Sequence, residues 1–548
     1  MVRTLRKDFF VVRMMTMAIG LFYSTTLAAQ EAILANIQKV SFPKDTLRIS
    51  ELGGKGDGQF MNTDIINQAI LTSSKNGGGV VLIPQGLWLT GPIELQSNVN
   101  LHIERDAILL FSANLNDYQL VESNWEGEPS WRNQNPVSGK NLENIAITGA
   151  GTIDGNGQAW RMVKKSKMTA SQWKNLVASG GVVDEKTSIW YPTESALRGA
   201  LENQSGRILP GITKEHYNDF KDYLRPNLLA LTSCKRILLE GVTFQNSPAW
   251  NLHPLMCEDL TLQNVTIRNP WYAQNGDGLD LESCRNVLVD NCTFDVGDDG
   301  ICIKSGRDQA GRDRAMPTEN VVIRNSVVYH AHGGFVIGSE MSGGARNIWV
   351  ENCSFIGTDI GLRFKTKRGR GGVVENIYIK NINMANIPGE AILFDMYYDT
   401  KDIAQAAEQR VPVTEETPQF RNFYIDNIQV KGANKGIFFR GLPEMHIQNI
   451  VINNATIEAK NGIEIIEASN IDLKNIILNT ANTNPLTSVS NSKNIQFDNL
   501  KSVHEVDVLI NISGNSEDIH IQHATLDNVK QTGKFDYPAT SKALKIAQ

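Results

Sequence analysis

A short strand-like motif recurs from residue 236 onward at a nearly regular spacing. Each copy begins with Asn or a similar residue, continues as apolar-x-apolar, and ends in a turn. The copies begin at Arg236, Asp259, Asn286, Asn320, Asn347, Asn376, Asn422, Asn449, Asn470, Asn494 and Asp518. Most steps are roughly 21 to 29 residues long, and a period of that size is the mark of a solenoid. The repeat therefore predicts a stack of similar coils.

A second position of the repeat indicates which kind of solenoid to expect. Asn stands five residues after the start of nine consecutive copies, at Asn264, Asn291, Asn325, Asn352, Asn381, Asn427, Asn454, Asn475 and Asn499. Asn tolerates left-handed turn geometry, and stacked amides can hydrogen-bond between layers. We therefore expect an all-β fold, a right-handed parallel β-helix, in which these residues form a ladder at one corner and bind no ligand.

Five of the six cysteines follow the phase of the same repeat. Cys234, Cys257 and Cys284 lie two residues before a repeat start, and Cys292 and Cys353 lie six residues after one. Equivalent positions on neighbouring coils stack about 4.8 Å apart. We expect small buried core residues, although that spacing also permits a bridge and an oxidising compartment would favour one.

The first 29 residues have the pattern of a signal peptide. Basic residues precede an apolar stretch over residues 14–23, and small residues at Ala28 and Ala29 offer a cleavage site. We expect an exported protein, periplasmic or secreted, with no membrane segment after cleavage, since no later stretch could span a bilayer. The net charge of −6 argues against nucleic acid or an anionic membrane as a partner.

The repeat also predicts how the chain is divided. Residues 158–224 interrupt the period and are rich in Lys, Trp and helix formers, which predicts a partly helical insertion beside the coils. The predicted order is a signal peptide over 1–29, an N-terminal cap with the first coils over 30–157, the insertion over 158–224, the catalytic β-helix over 225–530, and a polar tail outside the repeats over 531–548.

An amphipathic helix is expected to close the first coil. Thr63 is a plausible N-cap, and the apolar face consists of Ile65, Ile66, Ala69 and Ile70. Terminal repeats of a solenoid must cover an otherwise open core. The helix is therefore predicted to lie across the end of the stack.

Three aspartates lie in two glycine-flanked turns of the central repeats: Asp277 in NGDG, and Asp298 and Asp299 in GDDG. Neighbouring carboxylates can share acid and base roles, although Asp-rich surface turns and calcium loops have similar sequences. Counted from the repeat starts, the potential site residues follow the Asn corner on four consecutive coils, which predicts one stripe about 15 Å long. The stripe comprises Asp277, Asp298, Asp299, His332, Arg363 and Lys365.

Four ordered motifs, NGDGLD, GDDGICIKSG, AHGGFVIGSE and GLRFK, closely resemble those of the polygalacturonases, glycoside hydrolase family 28. The resemblance extends over nearly the whole chain and is strongest to a bacterial branch whose members are often exo-acting. It implies that Asp298 is the general acid, that Asp277 and Asp299 activate water, and that His332 maintains the protonation state of the acid. An inverting reaction of this kind calls for acid and base about 6.5 to 9.5 Å apart.

The resemblance also implies the substrate contacts. Arg363 and Lys365 match the pair that binds a substrate carboxylate beside the cleaved bond, which suits the planar donor fork of Arg. Other expected contributors are Asn275 and Lys304, which support the site by hydrogen bonds, and Asn246, Trp250, His253 and Tyr398, which line subsites. Lys367, Arg368 and Arg370 are expected to form an ordinary exposed basic loop.

The predicted function is hydrolysis of α-1,4-linked galacturonic acid in pectin, from chain ends, by a monomer without cofactor or metal. The partner is a galacturonate-containing pectic oligo- or polysaccharide. A rhamnogalacturonan or branched-pectin hydrolase of the same family remains an alternative. So do a β-helical pectin or pectate lyase, which would need a basic proton abstractor and often calcium, and a non-catalytic carbohydrate-binding β-helix.

Overall fold

The computed structural model describes residues 28–202 and 205–547. The predicted signal peptide lies outside these residues except for its last two, which begin a helix over residues 28–36. Among the described residues, no helix is both long enough and apolar enough to cross a bilayer.

The prediction of a right-handed parallel β-helix is confirmed. In the described part of the chain, thirty-five strands form one continuous parallel sheet that winds around the molecule. Each complete coil contributes to three faces, which we call the ladder face, the middle face and the cleft face in chain order. Side chains at paired positions of successive coils therefore form rows along the helix axis, because parallel pairing keeps them in register.

The ladder face contains the strands Thr46–Arg48, Gly79–Ile83, Val99–Ile103, Glu143–Gly149, Lys235–Glu240, Glu258–Gln263, Arg285–Asp290, Thr318–Arg324, Lys493–Asp498, Glu517–Gln522 and Leu544–Ala547. The middle face contains Gly86–Thr90, Ala107–Phe111, Thr152–Asp154, Thr243–Gln245, Thr266–Arg268, Thr293–Asp295, Val327–Tyr329 and Lys501–Ser502. The cleft face contains Ile93–Glu94, Val137–Lys140, Leu229–Thr232, Leu252–Leu255, Leu279–Glu282, Ile301–Lys304, Phe335–Ile337, Leu362–Lys365, Thr487–Ser490, Val506–Ser513 and Val529–Phe535. Five longer strands continue around corners: Ala345–Ile356, Val373–Asp395, Gln419–Arg440, Ile447–Ile466 and Ala468–Thr480.

The asparagine corner is present, and it is double. Asn381 donates to Asn352 over 2.9 Å and accepts from Asn427 over 2.8 Å. The repeat starts form a second ladder, in which Asn347 donates to Asn320 over 3.3 Å. Both sets have φ near +55°, the left-handed region that Asn tolerates. In the central coils, the ladder-face strands therefore run between two corners whose side chains hydrogen-bond from coil to coil.

One hydrophobic core extends along the inside of the coils, from Ile49 to Ala543. All six cysteines are buried and free, as expected of small core residues. The N-terminal helix Thr63–Lys75 packs Ile66, Ala69 and Ile70 into this core. Its N-cap is Asn62 rather than Thr63, whose hydroxyl instead accepts from the Gly91 amide over 2.6 Å.

Two excursions leave the coils on the N-terminal side of the cleft face. Residues 158–224 contain the helices Ala170–Ala178 and Glu194–Leu201, the 3-10 helix Lys214–Tyr223, and a small sheet of Val163–Lys164, Val182–Asp184 and Ile189–Tyr191. The second excursion is an antiparallel hairpin of Leu120–Trp125 and Glu128–Asn133. The two excursions pack together through a cluster of Leu120, Tyr217, Phe220 and Leu224.

The hairpin was absent from the sequence prediction, as was the pairing of the chain end. Two earlier copies of the strand motif begin at Asn98 and Asn144. The 46 residues between these starts exceed the usual step, and that excess length was the available signal. A tail over residues 531–548 was expected to lie outside the repeats, but its described part continues the cleft face with Val529–Phe535 and the ladder face with Leu544–Ala547. The remaining helices are Asp308–Arg314 and Ile403–Glu408, with 3-10 turns at Leu115–Asp117, Gly157–Ala159, Lys165–Lys167 and Ser541–Ala543.

Candidate active site

Equivalent positions at the entrance to the cleft face bring the predicted site residues together. The Asn251 amide donates to the Asp277 carbonyl, and the Gly278 amide donates to the Asp299 carbonyl, each over 2.9 Å. Trp250, Asp277 and Asp299 therefore occupy one row on three successive coils. Glycine is required beside this row, since a Cβ at Gly278 would lie 2.5 Å from the Gly300 carbonyl oxygen.

The three aspartates form one cluster. Carboxylate oxygens of Asp277, Asp298 and Asp299 lie within 4.8 Å of one another. This is closer than the separation of about 6.5 to 9.5 Å expected for an inverting pair. A single water can still bridge two of them, because two hydrogen bonds of about 2.7 Å meeting at a wide angle span that distance.

Asp298 is the carboxylate of the cluster most open to solvent, with 21% of its side chain exposed. Its Oδ1 accepts from His332 Nδ1 over 3.1 Å, and its Oδ2 accepts from the Asn275 amide over 3.2 Å. The bond to Asp298 is the main reason that the pKa of His332 is raised. The predicted histidine and the predicted acid are thus in direct contact.

Asp299 is buried and held by two cations. Lys365 Nζ lies 2.7 Å from its Oδ2, and Arg363 Nη1 lies 3.2 Å from its Oδ1. Burial alone would raise the pKa of this carboxyl, but the charges of Lys365 and Arg363 outweigh it and hold the pKa below the usual value. Asp299 is therefore ionised across the neutral and mildly acidic range.

Asp277 has the opposite electrostatics, although it belongs to the same row. Burial, followed by the charges of Asp280 and Asp298, raises its pKa well above the usual value. Its Oδ1 has no hydrogen-bond partner among the described residues. Asp280, two residues after Gly278, was missed by the sequence reasoning, and burial raises its pKa to about 7. The cluster consequently retains a proton at pH values where a free aspartate has lost it.

The cluster could offer oxygens to a metal ion. Two features disfavour that use. The charge of Asp299 is already neutralised by Arg363 and Lys365, and the raised pKa of Asp277 favours its protonated form. The arrangement suits proton transfer better than cation binding.

A buried layer of charge lies beneath these residues. Lys304 Nζ lies 3.1 Å from Glu340 Oε2 and 3.4 Å from Asp280 Oδ1, so it supports the site from below. Glu340, the last residue of AHGGFVIGSE, was not singled out from the sequence, although it ends a quoted motif. Although burial opposes it, the charges of Lys304 and Arg370 lower the pKa of Glu340 to about 2.

The prediction that Lys367, Arg368 and Arg370 form an exposed basic loop is wrong for both arginines. Arg370 is only 3% exposed and bonds Asp308 Oδ1 over 2.5 Å. Arg368 forms a two-pronged contact with Glu444, over 2.6 and 2.8 Å. Only Lys367, which pairs with Asp399 over 3.4 Å, is close to the expectation. Each of the three basic side chains forms an ion pair with an acidic residue on another segment.

Tyr398 lies at the C-terminal side of the cluster. The Lys365 ammonium is 4.9 Å and the Arg363 guanidinium 5.9 Å from its ring centroid. The ring therefore borders the cations predicted to bind a substrate carboxylate.

The N-terminal side of the cluster has an aromatic floor. Trp250 stacks on Trp125 of the hairpin with ring centroids 4.8 Å apart, and Lys304 Nζ lies 4.8 Å from the Trp250 ring. His253 is buried beneath and contacts Glu282 over 2.8 Å. Asn246 accepts from Arg161 of the insertion over 3.1 Å. These candidates lie mostly below the surface. Trp125 was not predicted because the hairpin that carries it was not predicted.

Comparisons with known proteins agree with this geometry. Residues 164–419 match the family model described as glycosyl hydrolases family 28. A Vitis vinifera protein named "Probable polygalacturonase" is 28% identical, over 74% of this chain and 73% of its own length. The exo-poly-alpha-D-galacturonosidase of Dickeya chrysanthemi is 26% identical, over 76% and 68% respectively. The crystal structure of a hyperthermoactive exopolygalacturonase from Thermotoga maritima superposes with a TM-score of 0.69 at 30% identity, covering 83% of this chain and 96% of that one.

Proposed function

The chain belongs to family 28 of the glycosyl hydrolases, and on that premise we propose that it hydrolyses α-1,4-linked galacturonate in pectin, one unit at a time from a chain end. The observation that carries the proposal is the cluster of three carboxylates, one bonded to His332 and one held by Arg363 and Lys365. The similarity to proteins named as exo-acting galacturonan hydrolases supports the same substrate.

The acid step uses the proton that the cluster retains. Burial and the charges of Asp280 and Asp298 raise the pKa of Asp277, so a proton stays in the cluster that Asp277 and Asp298 share to a higher pH. Asp298 is the more exposed of the two and is the group that reaches a glycosidic oxygen. Its donation of the proton to the leaving oxygen breaks the bond, and charged His332 beside it stabilises the carboxylate that remains.

The water step uses the ionised carboxylate. Asp299 stays a base over the working range because Lys365 and Arg363 hold its pKa low. A water bonded to it and to Asp277 would be positioned to attack the anomeric carbon from the face opposite to the leaving oxygen. That arrangement yields inversion.

The cations on the C-terminal side have capacity for a second carboxylate. Arg363 uses Nη1 for Asp299, and its Nε has no hydrogen-bond partner among the described residues. Lys365 donates once to Asp299 and retains two further N–H groups. Both can therefore hold the carboxylate of a galacturonate unit beside the cleaved bond.

Attack at chain ends is supported by the two excursions. The hairpin and the 158–224 segment stand together on the N-terminal side of the cluster, where a long polymer would otherwise continue along the cleft face. We propose further that the protein is exported to the periplasm or the medium and acts as a monomer.

Incubation with trigalacturonate tests the function. Hydrolysis predicts new reducing ends without ultraviolet absorbance, with galacturonate and digalacturonate as products. On a longer oligomer, exo action predicts galacturonate as the first small product. Mixed sizes at early times would contradict the exo assignment. Absorbance from a new double bond would indicate a lyase instead, and unchanged trigalacturonate with turnover of branched pectin would move the substrate within the family.

A further inference from the structure

A buried arginine that forms no ion pair with any described residue lies against the aromatic stack on the N-terminal side of the cluster. Arg132, in the second strand of the hairpin, is 5% exposed, and its guanidinium lies 3.6 Å above the Trp125 ring. Among the described residues its side chain has no ion pair, and its Nε has no hydrogen-bond partner. The stack continues from Trp125 to Trp250, which shares a row with Asp277 and Asp299.

Arg225, a charged neighbour of Arg132, is itself a cation rather than an acid. Burial and then the charge of Arg225 lower the pKa of Arg132 to about 9. Arg225 is also buried, and its guanidinium bonds the carbonyls of Pro248 and Gln274 and the side chain of Asn275, each over 2.9 Å. None of these partners carries a charge. Elsewhere in the protein, by contrast, buried Arg370 pairs with Asp308.

Neither of these neighbouring buried guanidiniums forms an ion pair among the described residues, although Glu126 acts on Arg132, and Asp277 and Asp298 act on Arg225, from a longer distance. A bound anion would offset the cost of burying them. Burying an unpaired charge is strongly unfavourable, and like charges repel. Hydrophobic residues of similar volume would pack on Trp125 without that penalty. The planar fork of Arg132, with its hydrogen-bonding groups largely unused, is suited to a carboxylate.

The position of this pair relates it to the reaction. Arg225 Nη2 bonds Asn275 Oδ1, and the amide of the same Asn275 donates to Asp298 over 3.2 Å. One residue thus separates Arg225 from the proposed acid. Arg363 and Lys365 lie two coils further along the axis, on the other side of Asp298. Cations therefore flank the cleavage point on both sides.

We propose that Arg132, supported by Arg225, binds a second substrate carboxylate, so that the cleft recognises the acid group of both sugars joined by the cleaved bond. This rests on the proposed function. It assigns to the hairpin a specificity role: a galacturonate whose carboxylate is esterified or absent on that side is a poor substrate, even when the unit on the Arg363 side is fully acidic.

Digalacturonate and its two mono-methyl esters, one on each unit, test this assignment. Wild-type enzyme should prefer the diacid to either ester by roughly 10- to 100-fold in kcat/KM, as for a charged hydrogen bond. Arg132→Gln should lower kcat/KM for the diacid by a similar factor, chiefly through KM. It should abolish the penalty for the ester on one unit only and leave the other penalty intact.

The controls separate recognition from folding. Arg421→Gln makes the same charge change at a distant ion pair with Glu375 and should leave all three rates unchanged. Arg132→Lys keeps the charge and should retain part of the discrimination; it also replaces the Gln variant if the latter has a lowered unfolding temperature. Retention of both ester penalties in a folded Arg132 variant would overturn the proposal, as would a wild-type enzyme indifferent to one ester. No hydrolysis of any substrate by wild type would instead refute the proposed function.

Discussion

The ladder corner and the cleft corner are built on the same coils, yet their polar side chains do opposite things. At the ladder, Asn320 and Asn347 bond to each other as neutral amides, and each resembles the residue one coil away. At the cleft, Asp298 and His332 occupy adjacent coils as two different titratable groups. Ladder residues repeat because they stabilise the stack; cleft residues break the repeat because they act on something outside it.

The same two coils even supply an internal control for this difference. Asp295 and His330 form a contact of 3.0 Å, almost the length of the Asp298–His332 contact, but with 45% and 60% of the side chains exposed. A carboxylate–imidazole pair is therefore not sufficient for a site. What distinguishes Asp298 is the company of two further carboxylates in a partly buried setting.

The largest difference in activity between the two aspartate–histidine pairs should come from Asp298→Asn. Loss of the general acid removes a contribution of about 10²- to 10⁴-fold, so we expect kcat to fall by roughly 1,000-fold. The amide keeps the shape of the site, and the unfolding temperature should change little. Initial rates on trigalacturonate and thermal unfolding check both points. Asp295→Asn is the matched variant and should retain wild-type rates; equal losses in the two variants would contradict the assignment.

Lys365→Gln should have the next largest effect, through the charge state of Asp299. Without the ammonium, the pKa of Asp299 rises, so the base is protonated at higher pH and the acidic limb of the kcat/KM profile should move up by about one pH unit or more. The maximal rate should fall by about 100-fold. A pH–rate profile measures this, with Lys431→Gln at the exposed pair with Glu458 as control. An unshifted acidic limb would show that another group sets it.

Asp280→Asn should show that a buried carboxyl of the cleft lowers the free energy of unfolding at neutral pH. A carboxyl whose pKa is raised to about 7 by folding stabilises the native state at low pH, and that stabilisation is lost as the pH rises from about 4 through 7. The variant should therefore gain about 2 kcal/mol relative to wild type between pH 5 and pH 8. Chemical unfolding at the two pH values gives the difference. A constant offset would mean that Asp280 is already ionised at pH 5.

Asn381→Ala should give the smallest effect and the opposite profile. The change removes amide bonds to Asn352 and Asn427 and puts Ala, which tolerates the left-handed region less well than Asn, at φ +57°, for a loss of about 1 to 2 kcal/mol in stability. Activity of the folded enzyme should be unchanged. Asn381→Gly relieves the backbone strain but does not restore the lost hydrogen bonds. Its stability should therefore lie between those of wild type and Asn381→Ala. An altered kcat would break the separation between the two corners.

The parts of the molecule that repeat were predictable except for the last coil, whose strands Val529–Phe535 and Leu544–Ala547 lack the Asn positions. The parts that do not repeat were predictable only where they carried a motif. The Asn positions determined the coil phase, and the phase placed Asp277, Asp298 and His332 together. Asp280 and Glu340 lay inside quoted motifs, but their importance depends on burial against Lys304, which periodicity does not report. Trp125 and Arg132 belong to a hairpin without motif or period, and its packing depends on tertiary contacts alone.

The tip of that hairpin has a consequence for how the protein unfolds. Glu126 contacts Arg307, 181 positions away, over 2.9 Å, and Gly127 packs so closely that a Cβ would lie 2.4 Å from the Arg307 amide nitrogen. Coils of a solenoid ordinarily contact only their neighbours, so such chains can fray from either end in small steps. Here the contact between the hairpin tip and Arg307 joins the first coils directly to the central ones. The intervening coils are thereby expected to open as one cooperative unit, with their amides exchanging hydrogen at a common rate.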